Sequence, residues 1–327
     1  MKYLLIALML ILVVITATWL IKNNYHMPAI KVKQINQLGK KGKIPYALKK
    51  ILEEKYRVVV SDKDYHIVID DVFGNEDIKN SDSPNAIKVF YTAEAYLPKL
   101  DNYDLVIGFD RVDNPKYIRY PNYYDWYKDK IKADKKPRVG QGECNPKKKH
   151  FACFLVSNGD HDLIGYSGKT AEGTRARDSI FHKLSEYKWV ASGGNHLNNI
   201  GQTVPRKHGK TQEWLSQCKF VISYENQYHN GYMTEKLFQA YFAGSIPIYW
   251  GDKTAISDIN KNAVIYADDF DFESDLVEYV KTVDNDDEIY CKIWHQNLIT
   301  NPEMNYKVMQ NKLRSKLFKL IDTKLQK

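Results

Sequence analysis

The first pattern along the chain is YLLIALMLILVVITATWLI, Tyr3 to Ile21, 19 residues without a charge. A run of that length covers about 30 Å of hydrocarbon as one helix. It exceeds the apolar core of a cleaved signal peptide, and no A-x-A site follows it. We therefore expect a transmembrane signal anchor over residues 3–21 and a basic linker over 22–43. Lys2 precedes the span, while Lys22, Lys31, Lys33, Lys40 and Lys41 follow it closely. That asymmetry predicts a single-pass protein with its body on the cytoplasmic face of the membrane, with a Golgi membrane and a lumenal body as the alternative. The absence of any N-x-S/T sequon agrees with the first orientation.

Beyond the linker, Pro45 to Tyr56 predicts a helix. Short β-branched and aromatic runs then alternate with polar breaks: YRVVV (56–60), YHIVID (65–70), AIKVFYT (86–92) and DLVIGF (104–109) predict strands. Residues 111–149 turn Tyr-rich and then rich in Lys, Pro and Gly, the composition of a surface excursion and linker. The second half opens on FACFLVS (151–157) and continues as a helix from about Thr174 to Tyr187, then KWVAS, the helix TQEWLSQ, the strand KFVISY (219–224), the helix TEKLFQAYFA (234–243) and the strand SIPIYW (245–250). Alternating strands and helices predict parallel α/β units, with ligand crevices at the carboxyl ends of the strands. We assign one unit to residues 44–149, a second to 150–290, and a C-terminal basic amphipathic helical tail to 291–327. In that tail Leu313, Leu317, Leu320, Ile321 and Leu325 recur at helical spacing among Lys312, Arg314, Lys316, Lys319 and Lys324. The pattern suits a membrane surface or a helix packed on the body equally well.

Composition narrows the partners. The 327 residues are 43% hydrophobic and 27% charged, which excludes collagen-like, low-complexity and disordered classes. A net charge of +8 makes phosphate-bearing partners plausible without choosing among them. No nucleic-acid-binding motif is visible, and no nucleic-acid partner is expected. Cys144, Cys153, Cys218 and Cys291 show no C-x-x-C pairing and read as reduced thiols. GYSGKT (165–170) ends like a P-loop, but Leu163 stands where the first glycine belongs, so a flexible loop is the better reading. Asp269-Phe270-Asp271 could hold a divalent cation on a diphosphate, which keeps a metal-dependent GT-A transferase as the alternative enzyme.

The chemistry concentrates in Lys219 to Gly251, KFVISYENQYHNGYMTEKLFQAYFAGSIPIYWG. A strand delivers Glu225 and Asn226 to its carboxyl end. A loop with Gly231 turns the chain, and Thr234 is placed to cap a helix that opens with Glu235 and Lys236. A helix N-terminus offers unpaired N–H groups to a diphosphate, Lys236 adds a cation, and a carboxylate beside them can bind sugar hydroxyls. A well-capped helix with no ligand accounts for the same residues.

Tyr224-Glu225-Asn226, Tyr232-Met233-Thr234-Glu235-Lys236 and Ala243-Gly244-Ser245-Ile246-Pro247-Ile248-Tyr249-Trp250-Gly251 together resemble the signature of the α-1,3/1,4-fucosyltransferase family, glycosyltransferase family 10. FACFLVSN with Arg177 inside RARDSIFHKLSEY resembles the family's phosphate-binding strand and helix. VFYTAEAY (89–96) resembles its Tyr-Thr-Gly-Glu turn, with Ala93 in place of the glycine. The resemblance covers about residues 55 to 290. It implies an α/β fold of GT-B architecture, two Rossmann-like domains facing across a cleft, the acceptor domain first and the GDP-fucose domain second. It implies Glu94 as general base and Arg177, Asn226, Tyr232, Glu235 and Lys236 as donor-binding residues. The implied reaction is inverting transfer of L-fucose from GDP-fucose to the 3-OH of GlcNAc in an N-acetyllactosamine-like acceptor, with no tightly bound cofactor and no required divalent metal. The basic tail resembles those of bacterial members working at the membrane on lipid-linked or lipopolysaccharide glycans. A catalytically silent glycan- or membrane-binding relative is the alternative outside enzymes.

Overall fold

The computed structural model describes residues 6, 27–37, 44–80, 83–128, 130–131, 142–159, 171–206 and 209–325. The expected anchor over 3–21, apart from Ile6, and the GYSGKT loop lie outside the described residues. Among the described residues no helix is long and apolar enough to cross a membrane.

Two wholly parallel sheets organise the chain. The first contains β1 (Ala29–Gln34), β2 (Arg57–Val60), β3 (Ile67–Asp70), β4 (Ile87–Tyr91), β5 (Leu105–Gly108) and β6 (Tyr117–Arg119) in the order β2-β1-β3-β4-β5-β6. The second contains β7 (His150–Phe154), β8 (Val190–Ser192), β9 (Cys218–Ile222), β10 (Ile246–Tyr249) and β11 (Ile265–Tyr266) in the order β11-β10-β9-β7-β8. Sheets covered on both faces require strands apolar on both faces. IVID of β3, LVIG of β5, CKFVI of β9 and IPIY of β10 are buried at every position. Four helices supply crossovers within the sheets, α1 (Tyr46–Leu52), α3 (Ala171–Tyr187), α4 (Lys210–Leu215) and α5 (Glu235–Phe242); α2 (Tyr123–Tyr127) lies between the two sheets in chain order, and α6 (Glu273–Asn285), α7 (Asp287–Trp294) and α8 (Tyr306–Leu325) follow the last strand. In the second sheet β8 lies on one side of β7 and β9 on the other, so the strand order reverses between β7 and β9. That reversal opens a crevice at their carboxyl ends.

Several expectations need correction. Ala29–Gln34 is a strand inside the first sheet rather than linker, with Ile30 and Val32 at most 1% exposed. Its lysines hid it: in IKVKQ the two apolar residues occupy one face, while Lys33 on the other reaches Glu76 at 3.1 Å. Residues 111–131 are likewise no surface excursion. They supply β6 and α2, and Tyr120, Tyr123 and Tyr124 are at most 1% exposed, because their rings fill the space between the first sheet and α5. The division expected after residue 290 falls inside α7, whose Tyr290, Ile293 and Trp294 belong to the second core. The cysteines are not free thiols: Cys144 is bonded to Cys291 and Cys153 to Cys218, with Cα separations of 5.7 and 5.8 Å. Partners 147 and 65 residues apart cannot be matched by local spacing.

The C-terminal helix α8 returns to the first half. Leu313, Leu317, Phe318 and Ile321 are buried in the core of the first sheet, Arg314 forms two bonds of 2.7 Å with Glu54, and Lys324 reaches Asp104 at 2.6 Å. Burial at about 1.5–3 kcal/mol per large apolar side chain makes this packing strongly stabilising. The apolar stripe of the tail is therefore occupied by the body. One continuous apolar cluster joins the first sheet, α2, α5 and α8, with Tyr123 and Phe238 ring centroids 4.4 Å apart. The two halves thus share a core along one side.

Candidate active site

The second half contributes a cradle built by β9, the loop behind it, α5 and the start of α3. Glu225 leaves β9 and is fully buried. Its Oε1 accepts from the Thr234 N–H at 2.7 Å, and its Oε2 accepts from the Thr234 hydroxyl at 2.8 Å and from Lys236 Nζ at 3.1 Å. A buried carboxylate demands such partners, and Glu225 thereby fixes Lys236 at the N-terminus of α5. Thr234 does occupy the N-cap position, but its side chain makes no bond to the helix N–H groups. Its hydroxyl is engaged by Glu225 instead, so the positive end of α5 is not quenched by its own cap.

Arg177 on α3 points into the same place. It is 4% exposed, and Nε donates to the Tyr224 carbonyl at 3.0 Å, while Nη2 finds no partner among the described residues. Burial lowers the pKa of its guanidinium, opposed chiefly by Glu225. Two more buried atoms nearby lack partners among the described residues, Thr174 Oγ1 and Asn226 Oδ1. Buried polar groups are normally satisfied. An Arg fork, a hydroxyl, an ammonium and a helix N-terminus converging on one crevice have the donor chemistry of a diphosphate site. A Cβ on Gly173 would lie 2.2 Å from the Asn226 carbonyl oxygen, so only glycine lets α3 approach the loop this closely.

The first half contributes a carboxylate. Glu94 follows β4 in a turn where its N–H donates to Thr92 Oγ1 at 3.0 Å and its carbonyl accepts from the Tyr96 N–H at 2.9 Å. Ala93 is not among the positive-φ residues, so the turn accepts a Cβ where the family pattern has glycine. The half-buried Glu94 carboxylate has its pKa raised by burial, opposed by Lys236 and by a hydrogen bond with Asn226. Glu94, from the first half of the chain, is thus brought to Asn226 and Lys236 of the second. Asp71, just past β3, is a second carboxylate nearby. Burial pushes it up to about 7, with the charge of Glu94 adding to the shift.

The remaining expected residues have distinct settings. Glu235 opens α5 with its side chain 18% exposed and lies 4.0 Å from Lys236. Tyr232 is buried, and its ring packs edge-on to Phe109 of the first half at 4.8 Å, with Ala95 completing the cluster. The Asp269 carboxylate is held by Lys261. Among the described residues no three His, Cys, Asp or Glu side chains converge as a metal site. Sequence reasoning passed over Glu225 as a countercharge, Thr174 and Asp71. For Glu225 a signal existed, an acidic residue at the end of an otherwise apolar strand; for the other two the juxtaposition is purely tertiary.

Comparison with known proteins fits this geometry. Residues 145–321 match the model of the glycosyltransferase family 10 (fucosyltransferase) C-terminal region. The chain belongs to glycosyltransferase family 10. Residues 36–127 match the N-terminal domain of α-(1,3)-fucosyltransferase FucT. The α-(1,3)-fucosyltransferase FucT of Helicobacter pylori is 29% identical over 74% of this chain and 53% of its own length. The 4-galactosyl-N-acetylglucosaminide 3-α-L-fucosyltransferase 9 of Mus musculus is 27% identical over 48% of this chain and 40% of its own. The chain thus spans about half the length of the curated relatives it matches. Among solved structures, an α1,3-fucosyltransferase superposes with a TM-score of 0.73 over 91% of both chains at 25% identity. An α1,3-fucosyltransferase with GDP-fucose does so at 0.72, over 90% of this chain and 91% of that one, also at 25% identity. The α/β fold with parallel sheets is shared with these family 10 structures.

Proposed function

We propose that this protein is an inverting α-1,3-fucosyltransferase, moving L-fucose from GDP-fucose to the 3-OH of GlcNAc in an N-acetyllactosamine-like glycan. The observation that carries the reading is the buried Arg177 fork beside Lys236 and the α5 N-terminus, opposite a raised-pKa Glu94 hydrogen-bonded to Asn226. The family relationship supports the donor, since a solved relative is described with GDP-fucose. In this reading the two sheets are the two Rossmann-like domains of a GT-B transferase, the half built on β1 to β6 and covered by α8 taking the acceptor and the half built on β7 to β11 the donor.

The reaction needs one displacement. Glu94 takes the proton of the acceptor hydroxyl as that oxygen attacks the anomeric carbon of fucose. The bond from that carbon to the β-phosphate oxygen breaks, GDP leaves and the configuration inverts. Arg177, Lys236 and the α5 N–H groups stabilise the charge gathering on the departing diphosphate, a preorganised electrostatic arrangement. Asn226, Tyr232 and Glu235 orient sugar and nucleotide. A raised pKa suits Glu94 to its role, because a carboxylate of ordinary pKa is a feeble base near neutrality.

The apolar segment 3–21 is proposed as the anchor. The lysines that follow it favour a body on the cytoplasmic face, whereas the two cysteine pairs favour the alternative lumenal body, since such bonds persist in oxidising compartments and open in reducing ones; the redox state of the cysteines in the native protein decides between them. The deciding experiment measures GDP release from GDP-fucose by the body from residue 28 onward, with and without N-acetyllactosamine, in EDTA. Acceptor-dependent release is expected. Absence of GDP binding would overturn the reading of the Lys219–Gly251 cradle, and binding without turnover on any N-acetyllactosamine acceptor would favour a silent relative.

A further inference from the structure

The two halves meet at a second polar contact, away from Arg177 and Lys236. Asp258, in the second half, is buried and accepts from two arginines of the first: Arg119 Nη2 at 2.6 Å on Oδ2 and Arg111 Nη2 at 2.6 Å on Oδ1. Arg119, the last residue of β6, also donates through Nε to the Phe109 carbonyl at 2.7 Å and through Nη2 to the Gly231 carbonyl at 3.0 Å. One planar guanidinium therefore ties the end of β5 to the loop that precedes Tyr232.

The tied loop carries site residues at both ends. Gln227 Nε2, near its start, donates to the Ala95 carbonyl at 3.0 Å, beside Glu94, whose pKa the neighbouring Asn226 draws down. Tyr232, at its end, packs on Phe109 and Ala95. Gly231 has φ +70° and approaches so closely that a Cβ there would lie 2.3 Å from the Phe109 carbonyl oxygen. Its N–H is held in turn by Asp252 Oδ2 at 2.7 Å. The distance between the Glu94 turn and the donor cradle is thus set through this loop, and Arg119 grips the loop at its closest approach to the first half.

We infer that Arg119, held by Asp258, is a positioning residue for transfer: it sets the approach of Glu94 to the donor without touching either substrate. This rests on the fucosyl-transfer reading of the site. Small displacements between reacting groups cost rate steeply, a 1 Å error being worth about 100-fold. Arg is suited to the task because its rigid planar fork spans three acceptors through Nε and Nη2, whereas the compact ammonium of a lysine presents its donors from a single atom. The loss should therefore appear in turnover rather than in GDP affinity.

The test compares wild type, Arg119→Lys, Asp258→Asn, Glu94→Gln and the Arg119→Lys/Glu94→Gln double variant, by acceptor-dependent kcat and by calorimetric Kd for GDP. We expect Arg119→Lys to lower kcat about 10- to 100-fold with the GDP Kd within about 3-fold of wild type. Asp258→Asn should fall between wild type and Arg119→Lys. In the Glu94→Gln background, Arg119→Lys should cost less than about 3-fold more, because the two act through one step. Unchanged kcat in Arg119→Lys, or a loss that multiplies in full with that of Glu94→Gln, would overturn the inference. Loss of GDP binding in both Arg119→Lys and Asp258→Asn would assign the contact to folding and overturn it too. A wild-type protein that binds GDP but shows no acceptor-dependent turnover would count against the transferase reading instead.

Discussion

The donor cradle and the acceptor edge of the site are built in opposite ways. On the donor side, one stretch of about thirty residues supplies strand, loop and helix, and its charges neutralise one another before any ligand arrives: Glu225 holds Lys236 and Thr234 with bonds of 2.7 to 3.1 Å. On the acceptor side, Glu94 stands in a short turn after β4, with Asp71 contributed by the neighbouring strand and Asn226 by the other half of the molecule. The first is preorganised for an anion that stays in place during reaction. In the proposed reaction the second holds the group that takes up the proton, and burial tunes that group instead of locking it. Binding and chemistry should accordingly be separable by mutation.

The sharpest separation is expected from Glu94→Gln. It keeps the hydrogen-bonding shape and removes the base, so acceptor-dependent turnover should fall about 10² to 10⁴-fold, while the calorimetric Kd for GDP changes little. Equal loss of both would dissolve the distinction. Arg177→Lys should act on the other side, lowering kcat/KM for GDP-fucose about 10² to 10³-fold and weakening GDP itself. An ammonium cannot both reach the Tyr224 carbonyl and present a fork to the crevice.

Glu225→Gln tests whether the cradle is prebuilt. Removing the countercharge leaves Lys236 partly buried without its carboxylate, and breaking a buried pair costs about 3–5 kcal/mol. Urea unfolding should register a loss of that order, and saturating GDP should restore part of it by mass action. A variant as stable as wild type would mean that Lys236 finds water or another acceptor as easily as it finds Glu225. Gly231→Ala addresses the seam between the two sides. A methyl group at φ +70° against the Phe109 carbonyl should cost about 1–3 kcal/mol of stability, seen as a lowered Tm.

The same asymmetry explains what could be read from the chain alone. Most of the donor side was legible because its residues are contiguous: a buried strand ending in Glu225-Asn226 and a helix opening with Glu235-Lys236 carry their spacing in the sequence, whereas Arg177, which reaches the Tyr224 carbonyl from 47 residues away, came from the family resemblance alone. Most strands were legible for a related reason, since buried parallel strands are continuous apolar runs. β1 was not, because Lys31 and Lys33 mark its outer face and composition outweighed alternation. Nor was the Tyr120–Tyr124 core, since tyrosines beside prolines and aspartates read as surface until α5 is seen to pack on them. Arg119, Asp258 and Asp71 leave no local trace, as each matters only through a partner more than a hundred residues away or on an adjacent strand.

The smallest effect expected is also the most specific to the acceptor side, a pH dependence. Burial raises the pKa of Glu94 above the ordinary glutamate range, and a general base works only when deprotonated. Acceptor-dependent kcat/KM should therefore rise with pH through a pKa above that of a solvated glutamate and then level off, while GDP binding shows no matching limb. Asp71, pushed up to about 7 and electrostatically coupled to Glu94, titrates in an adjoining range. The limb then belongs to the pair rather than to either residue. Asp71→Asn deletes the group whose ionisation the Glu94 charge holds back, so the component of the limb near 7 should vanish while the remainder keeps its position. A component near 7 that survives in Asp71→Asn would assign it to another group, and a limb that persists in Glu94→Gln would transfer the base role away from Glu94.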